Sequence, residues 1–358
     1  MEQKNKEIPK VCFFGIYDSA YARSRVLIRG FQENGFDVVH CRVDPRRHGG
    51  ILKFFFLVRE YFRVRAKFNF VIVAFPGHTV VWLARILFGK HIIFDAFVSL
   101  YNSNVEDRKL YSGGSIRGLW NWFLDWHSMR IASVVLFDTN TQIDYVSKKF
   151  GIPHEKFRRV FVGTTEDLFY PAKNKNESNK FIVHFHGSLI PLQGLPYIIG
   201  AAKILLKEEN IIFRIIGGGE EYENMQNLIK KFNIKNIELL KPVSLEKIAE
   251  YLRQADVSLG IFGDTNKTEL VIPNKVYEAI ACGVPVITAN TQAAREVFTD
   301  RKNVLFCERA NAESVAKAVM MLYKDNELRD LIGNGGYDIF KQHVTPIHLV
   351  SDLLKTPL

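Results

Sequence analysis

Lys275 and Glu278 stand three residues apart in the stretch Pro273-Asn274-Lys275-Val276-Tyr277-Glu278-Ala279-Ile280-Ala281-Cys282-Gly283. On a helix that spacing gives both side chains one face, a cation able to meet phosphate beside a carboxylate able to meet a pair of hydroxyls. Asn274 reads as the N-cap and Gly283 as the C-terminal stop. The entrance of such a helix presents unpaired N–H groups and the positive end of its dipole, which suits an anion. Val284 to Ala289 follows as a short apolar run rich in β-branched residues, the pattern of a strand in a buried parallel sheet.

The elements that must position this stretch alternate. Strands are expected at Lys10 to Gly15, Phe36 to Cys41, Phe70 to Phe75, His91 to Phe94 (ending at Asp95), Val134 to Phe137 and Val160 to Val162. Helices are expected between them at Arg23 to Asn34, Ile51 to Lys67, Thr79 to Phe88, Gly118 to Arg130 and Thr141 to Phe150, with a polar insert at Asn102 to Ser115. A second series has strands at Phe181 to Phe185, Ile211 to Ile216, Ile237 to Leu240, Val257 to Ile261 and Val284 to Ile287. Its helices include one from Gly194 through Glu208, Glu220 to Phe232, Asn311 to Tyr323 and Glu327 to Gln342. Such alternation implies an α/β chain of two doubly wound, Rossmann-like domains, with ligands at the carboxyl ends of the strands and facing loops that line a cleft. The expected division is residues 1–170, a polar linker at 171–180, residues 181–340, and a terminal helix at 341–358 that returns to the first domain.

At 358 residues the chain is long enough for two domains, and 47% hydrophobic with 24% charged residues is a globular composition. The four cysteines, Cys12, Cys41, Cys282 and Cys307, have no metal spacing and fit reduced thiols in a cytosolic protein. His184 and His186 alternate and so face one way, yet no third or fourth ligand lies nearby, and no metal is expected. The polar start, Met1 to Lys10, does not read as a signal peptide, and Val80 to Phe94, broken by Arg85 and Lys90, is no membrane span. A cytoplasmic chain, with or without a peripheral place at the inner membrane face, is the expectation. The net charge of +10 is uneven. Residues 1–172 carry 25 Lys and Arg against 16 Asp and Glu, a balance of +9, whereas residues 173–358 carry 23 against 22. A G-x-G-x-x-G is missing near the N-terminus, which argues against a dinucleotide dehydrogenase.

Three segments of the second half resemble the retaining glycosyltransferases of family 4, the glycosyl transferases group 1 with the GT-B fold. They are Phe185-His186-Gly187-Ser188-Leu189-Ile190-Pro191-Leu192-Gln193-Gly194, Arg214-Ile215-Ile216-Gly217-Gly218-Gly219-Glu220, and Pro273 to Ile287 with Arg295-Glu296. Val162 to Pro171 is similar to the signature that closes the family's first domain. The resemblance implies metal-independent transfer of a sugar from a nucleotide-sugar donor, here by base rate a UDP-sugar, to a glycan or lipid-linked acceptor. No cofactor is implied. It implies a donor site at Gly187, Ser188, Gln193, Gly217, Val243, Pro273, Asn274 and Val276, with Lys275 on the phosphates and Glu278 on the ribose. It further implies an acidic group near the donor sugar in the first, acceptor-binding domain, and Asp95 holds that position. A strand-end turn carboxylate is the equal alternative for Asp95.

Three departures stand out. The family's first glutamate falls on Leu270, with Glu269 one residue away, and its arginine and lysine in the first glycine turn are replaced by Ser188 and Gln193. They leave open a catalytically degenerate module that acts as a partner or scaffold.

Ile51 to Lys67 interleaves Phe54, Phe55, Phe56, Tyr61 and Phe62 with Lys53, Arg59, Arg63, Arg65 and Lys67. A core helix with a solvated cationic face is the first reading, and a helix lying on an anionic membrane is the second. Nucleic acid is not an expected partner, since no nucleic-acid module is recognisable.

Overall fold

The computed structural model describes residues 8–44, 50–64, 66–172 and 180–356. Most of the expected linker, residues 173–179, lies outside the described residues, as do Arg65 and residues 1–7 of the polar start. Among the described residues the chain forms two compact units. One runs up to Val105, resumes over Leu110–Val162 and takes in the residues from Thr345 onward. The other comprises Glu106–Lys109 and Gly163–Val344.

The first unit begins β1 (Lys10–Gly15), α1 (Ala22–Glu33), β2 (Asp37–Arg42), α2 (Leu52–Val64), β3 (Phe70–Val73) and α3 (Val81–Phe88). It continues with β4 (Ile92–Phe97), α4 (Ile116–Ile131), β5 (Val134–Phe137), α5 (Asn140–Phe150) and β6 (Phe157–Arg159). All pairings are parallel in the order β2-β1-β3-β4-β5-β6, so the order reverses between β1 and β3. The strands β3 and β5 are continuous apolar runs because helices cover the sheet, and Cys12, Phe14, Val73, Phe94 and Val135 build a core beneath it.

The second unit contains β7 (Phe181–His186), α6 (Leu195–Ile204), β8 (Ile211–Ile216), α7 (Tyr222–Lys231), β9 (Ile237–Leu240), α8 (Leu245–Arg253) and β10 (Val257–Leu259). It goes on through α9 (Asn266–Leu270), α10 (Asn274–Ala281), β11 (Val286–Ala289), α11 (Gln292–Arg295), β12 (Leu305–Cys307), α12 (Ala312–Lys324) and α13 (Asn326–Ile339). Its sheet is again all parallel, in the order β12-β11-β10-β7-β8-β9. Here the reversal falls between β7 and β10, the place where open α/β sheets hold ligands beyond the strand ends. Phe181, Val183 and Phe185 of β7 enter the core with residues of α6 and α12. By strand alternation, Ile182, His184 and His186 take the other face.

The last helix, α14 (Pro346–Lys355), belongs to the first unit and packs on α1. Gly30 of α1 permits that contact. A Cβ there would lie 2.4 Å from the carbonyl oxygen of Pro346 and 2.5 Å from Val350 Cγ2.

Several elements differ from the sequence expectation. The closing strand of the first sheet is Phe157–Arg159, not Val160 to Val162. Two arginines disguise it, while the carbonyls of Val160 and Phe161 accept from Arg23 instead of continuing the ladder. β4 extends through Asp95 to Phe97, so Asp95 is interior rather than terminal. β11 starts at Val286 rather than Val284, after Pro285, which has no N–H for a ladder. Helix α10 starts one residue earlier than expected: Pro273 is its N-cap, without a side-chain bond, and Asn274 is its first residue. Gly283, at φ 66, ends it as expected.

Candidate functional site

The site residues of the second unit gather at the strand ends around the reversal point. β7 ends on His186 and turns through Gly187, whose φ is 142 and whose N–H donates to Ile216 O at 3.0 Å. Gly217 follows β8 so closely that a Cβ on it would lie 2.0 Å from Gly187 O. Two glycine loops therefore stack backbone on backbone, leaving no room for a side chain between them. Ser188 is exposed at the tip of the first loop.

Lys275 and Glu278 both turn inward from α10, each 4% exposed. The ammonium of Lys275 donates to Gln193 Oε1, and Nζ lies 3.7 Å from the centroid of the Phe185 ring. A Cβ on Gly187 would stand 3.2 Å from that same Nζ. Lys275, Gln193 and the Gly187 turn are thus one cluster. Burial pushes the Lys275 pKa well below the ordinary lysine range, with Glu278 pulling it back up.

Glu278 meets a residue that the sequence reading had set aside. Its Oε2 lies 2.7 Å from His186 Nε2, and His186 Nδ1 lies 3.0 Å from His184 Nε2. All three groups are buried. Burial lowers the His184 pKa well below the usual imidazole value, and His186, Arg214 and Lys275 lower it further. The i, i+2 spacing was the available signal for this chain. It signalled a shared face, and the third member came from α10 rather than as a metal ligand. Among the described residues no group of three or more His, Cys, Asp or Glu is arranged to hold a metal ion.

Pro273 and Asn274 are half-buried at the start of α10, and Val276 is buried within it. Val243 is exposed in the turn after β9. Glu269 of α9 pairs with Arg309 at 3.4 Å and accepts from the Gln292 N–H at 3.1 Å, while Leu270 is buried.

In the first unit, Asp95 is 1% exposed and sealed against Arg23. Arg23 Nε lies 3.0 and 3.2 Å from the two carboxylate oxygens, and Nη2 lies 2.9 Å from Oδ1. Sequence reasoning missed Arg23, which sat in a helical run without a visible partner. It also missed Asp125, which accepts from Ser99 Oγ at 2.7 Å and the Leu100 and Tyr101 N–H groups, with His78 Nε2 at 3.3 Å.

With this geometry in view, the fold class is GT-B. The structure superposes on that of the Anabaena protein HepE in complex with UDP and glucose with a TM-score of 0.75, at 13% identity, over 97% of this chain and 98% of the other. Residues 167–338, which hold the whole Lys275–Glu278 cluster, match the glycosyl transferases group 1 family. An uncharacterized glycosyltransferase of Methanocaldococcus jannaschii is 25% identical over 190 residues, 51% of this chain and 48% of the relative. The capsular polysaccharide biosynthesis glycosyltransferase CapM of Staphylococcus aureus is 26% identical over 196 residues, 52% and 47% respectively. The chain spans about half the length of the curated relatives it matches.

Proposed function

We propose that the chain is a retaining, metal-independent glycosyltransferase of family 4 type. It takes a sugar, a hexose in this reading, from a nucleotide sugar and passes it to a glycan or lipid-linked acceptor. The observation that carries this reading is the burial of Lys275 and Glu278 side by side at the point where the strand order reverses. Lysine and glutamate are seldom buried unless partnered, and such buried charge at the strand ends of an α/β sheet marks a candidate ligand site. In this reading Glu278 holds the ribose hydroxyls, and the Gly187 turn, the entrance of α10 and Lys275 hold the diphosphate. Negative charge grows on that diphosphate as its bond to the anomeric carbon breaks, and these donors are already in place where it develops. A UDP-sugar is the donor we assign, in keeping with the UDP held by HepE. The role of CapM in capsular polysaccharide biosynthesis supports a glycan acceptor.

Asp95 takes a different part from the one its position suggests. Both its oxygens face Arg23, an arrangement that favours a carboxylate fixing the loop at Val160 and Phe161 over one that takes the acceptor's proton. The competing reading, a scaffold module without catalysis, draws on the exposed Ser188 and on Gln193 occupying the ammonium of Lys275. Thermal-shift screening with UDP, GDP, ADP and dTDP sugars, followed by assay of labelled sugar release, separates the two. Stabilisation with turnover supports the enzyme, stabilisation without turnover the scaffold, and neither response with any donor overturns both.

The acceptor in this reading sits at the inner face of an anionic membrane. Among the described residues no helix is long and apolar enough to cross a membrane. Helix α2 leaves Leu52, Phe55 and Phe62 exposed, α3 leaves Trp82 and Ile86, and α4 leaves Leu119, Trp120 and Phe123. The Phe54 and Trp82 rings, 5.4 Å apart, join the first two helices. Lys53, Arg59, Arg63, Arg85 and Arg117 lie on the same three helices. Apolar side chains beside cations fit an anionic bilayer surface. Salt-sensitive co-sedimentation with phosphatidylglycerol vesicles, absent with phosphatidylcholine alone, is the expected result.

A further inference from the structure

We propose that His186 is a positioning residue for the carboxylate of Glu278, and that His184 locks His186 in the tautomer this requires. The proposal rests on the reading of Glu278 as the ribose-binding group and names what aims it.

The proton positions follow from the contacts. A carboxylate only accepts, so the 2.7 Å contact requires the N–H of His186 on Nε2. The Nδ1 of a neutral His186 is then an acceptor, and the atom facing it at 3.0 Å, His184 Nε2, must donate. That leaves His184 Nδ1 as the end of the line. It is buried and has no partner, which for a lone pair is a smaller penalty than for a stranded N–H. Three polar groups thus point one way, from β7 into α10, with 0%, 7% and 4% exposure along the series.

The consequence falls on Glu278. Its Oε2 is taken by His186, whereas Oε1 accepts from no described residue. A free glutamate at this place has rotamers to choose from, and a bidentate grip on two ribose hydroxyls needs one of them. His186 removes that freedom before ligand arrives, so the ordering cost is met on folding rather than on binding. Because His186 is buried under the carboxylate and belongs to a strand of the rigid sheet, it orients the group and need not touch ligand itself.

The test uses titration calorimetry on the whole chain with UDP, 2′-deoxy-UDP and inorganic pyrophosphate. His186→Ala is expected to weaken UDP about tenfold, the scale of one lost charge-assisted hydrogen bond. Pyrophosphate, which has no ribose, should bind as before. Removing the 2′-hydroxyl should then weaken binding in wild type more than in His186→Ala, a non-additivity that a merely structural role does not produce. His186→Gln, whose amide nitrogen can donate at the same place, should restore most of the UDP affinity.

Equal UDP binding by wild type and His186→Ala overturns the proposal, as does an equal loss of UDP and pyrophosphate. If His186→Ala does not fold, His186→Gln and His184→Leu carry the test. Leucine at 184 should weaken UDP and spare pyrophosphate, and unchanged UDP affinity in that variant overturns the tautomer lock. Failure of wild type to bind any of UDP, GDP, ADP or dTDP is a separate outcome. It removes the donor-site reading itself, and this proposal with it.

Discussion

Arg23 grips both oxygens of Asp95 from 72 residues earlier in the chain, and its remaining nitrogen reaches the carbonyls of Val160 and Phe161 at 2.6 and 2.9 Å. One guanidinium therefore ties α1, β4 and the end of the first sheet together. Arg23→Ala would leave a buried carboxylate without its partner and should lower stability by about 3–5 kcal/mol, read by urea denaturation. Asp95→Asn discriminates between roles for the carboxylate. If it serves the fold, the unfolding midpoint falls along with activity. A loss of transfer at an unmoved midpoint would instead place Asp95 at the reacting centre.

Lys275 lies where its charge is least comfortable, since burial holds its pKa well below the ordinary value. A diphosphate ligand favours the charged form, so binding should take up protons between that lowered value and about 10.5. Calorimetry in buffers of different ionisation enthalpy measures this directly, and the uptake should vanish in Lys275→Ala. The same variant should lose about 1.5–3 kcal/mol of diphosphate affinity with little loss of stability. Unchanged affinity would refute the assigned role.

His184 sets a pH limit. Its native pKa is depressed, while in the unfolded chain it titrates near 6.5. Below about 6.5 the unfolded state therefore binds a proton that the native state refuses, and stability falls as pH falls. The contribution is up to about 1.4 kcal/mol per pH unit until the native value is reached. Comparing thermal melts of wild type and His184→Leu from pH 7.5 to 5 isolates this slope, which the leucine variant should lack.

Much of the fold was legible because its strands are short apolar runs with clear stops. Val134 to Phe137, Ile211 to Ile216 and Ile237 to Leu240 stand at their expected bounds. Helix α8 was missed although Leu245, Ile248, Ala249 and Leu252 carry a plain helical period and Ser244 caps it. β12 has three residues, too few to show a period. In the site, local motifs brought out Lys275, Glu278 and the glycine turns. They could not bring out His186 with Glu278, or Arg23 with Asp95. Those partners are 92 and 72 residues apart, each a helix residue against a strand residue, and only the packing of helix on sheet brings them together.

The seat of α14 on α1 depends on a missing methyl group. Gly30→Ala places a Cβ against Pro346 and Val350, and because the nearest atom is backbone, the helix must shift. A loss of about 1–3 kcal/mol is expected. Limited proteolysis should show earlier cleavage around residues 345–355, and an unchanged digestion pattern would contradict this packing.

The position of α14 also bears on the order of events during synthesis. The first unit is not a continuous stretch: α1 waits for a partner encoded more than three hundred residues later. Domains ordinarily fold as units in the order they emerge from the ribosome. Here the second unit can settle first, while the first unit remains uncapped at α1 until residues 345–355 have been made. A nascent chain stalled short of Thr345 would expose the α1 surface that α14 later covers. Chaperone capture of such chains should therefore persist until residues 345–355 have emerged.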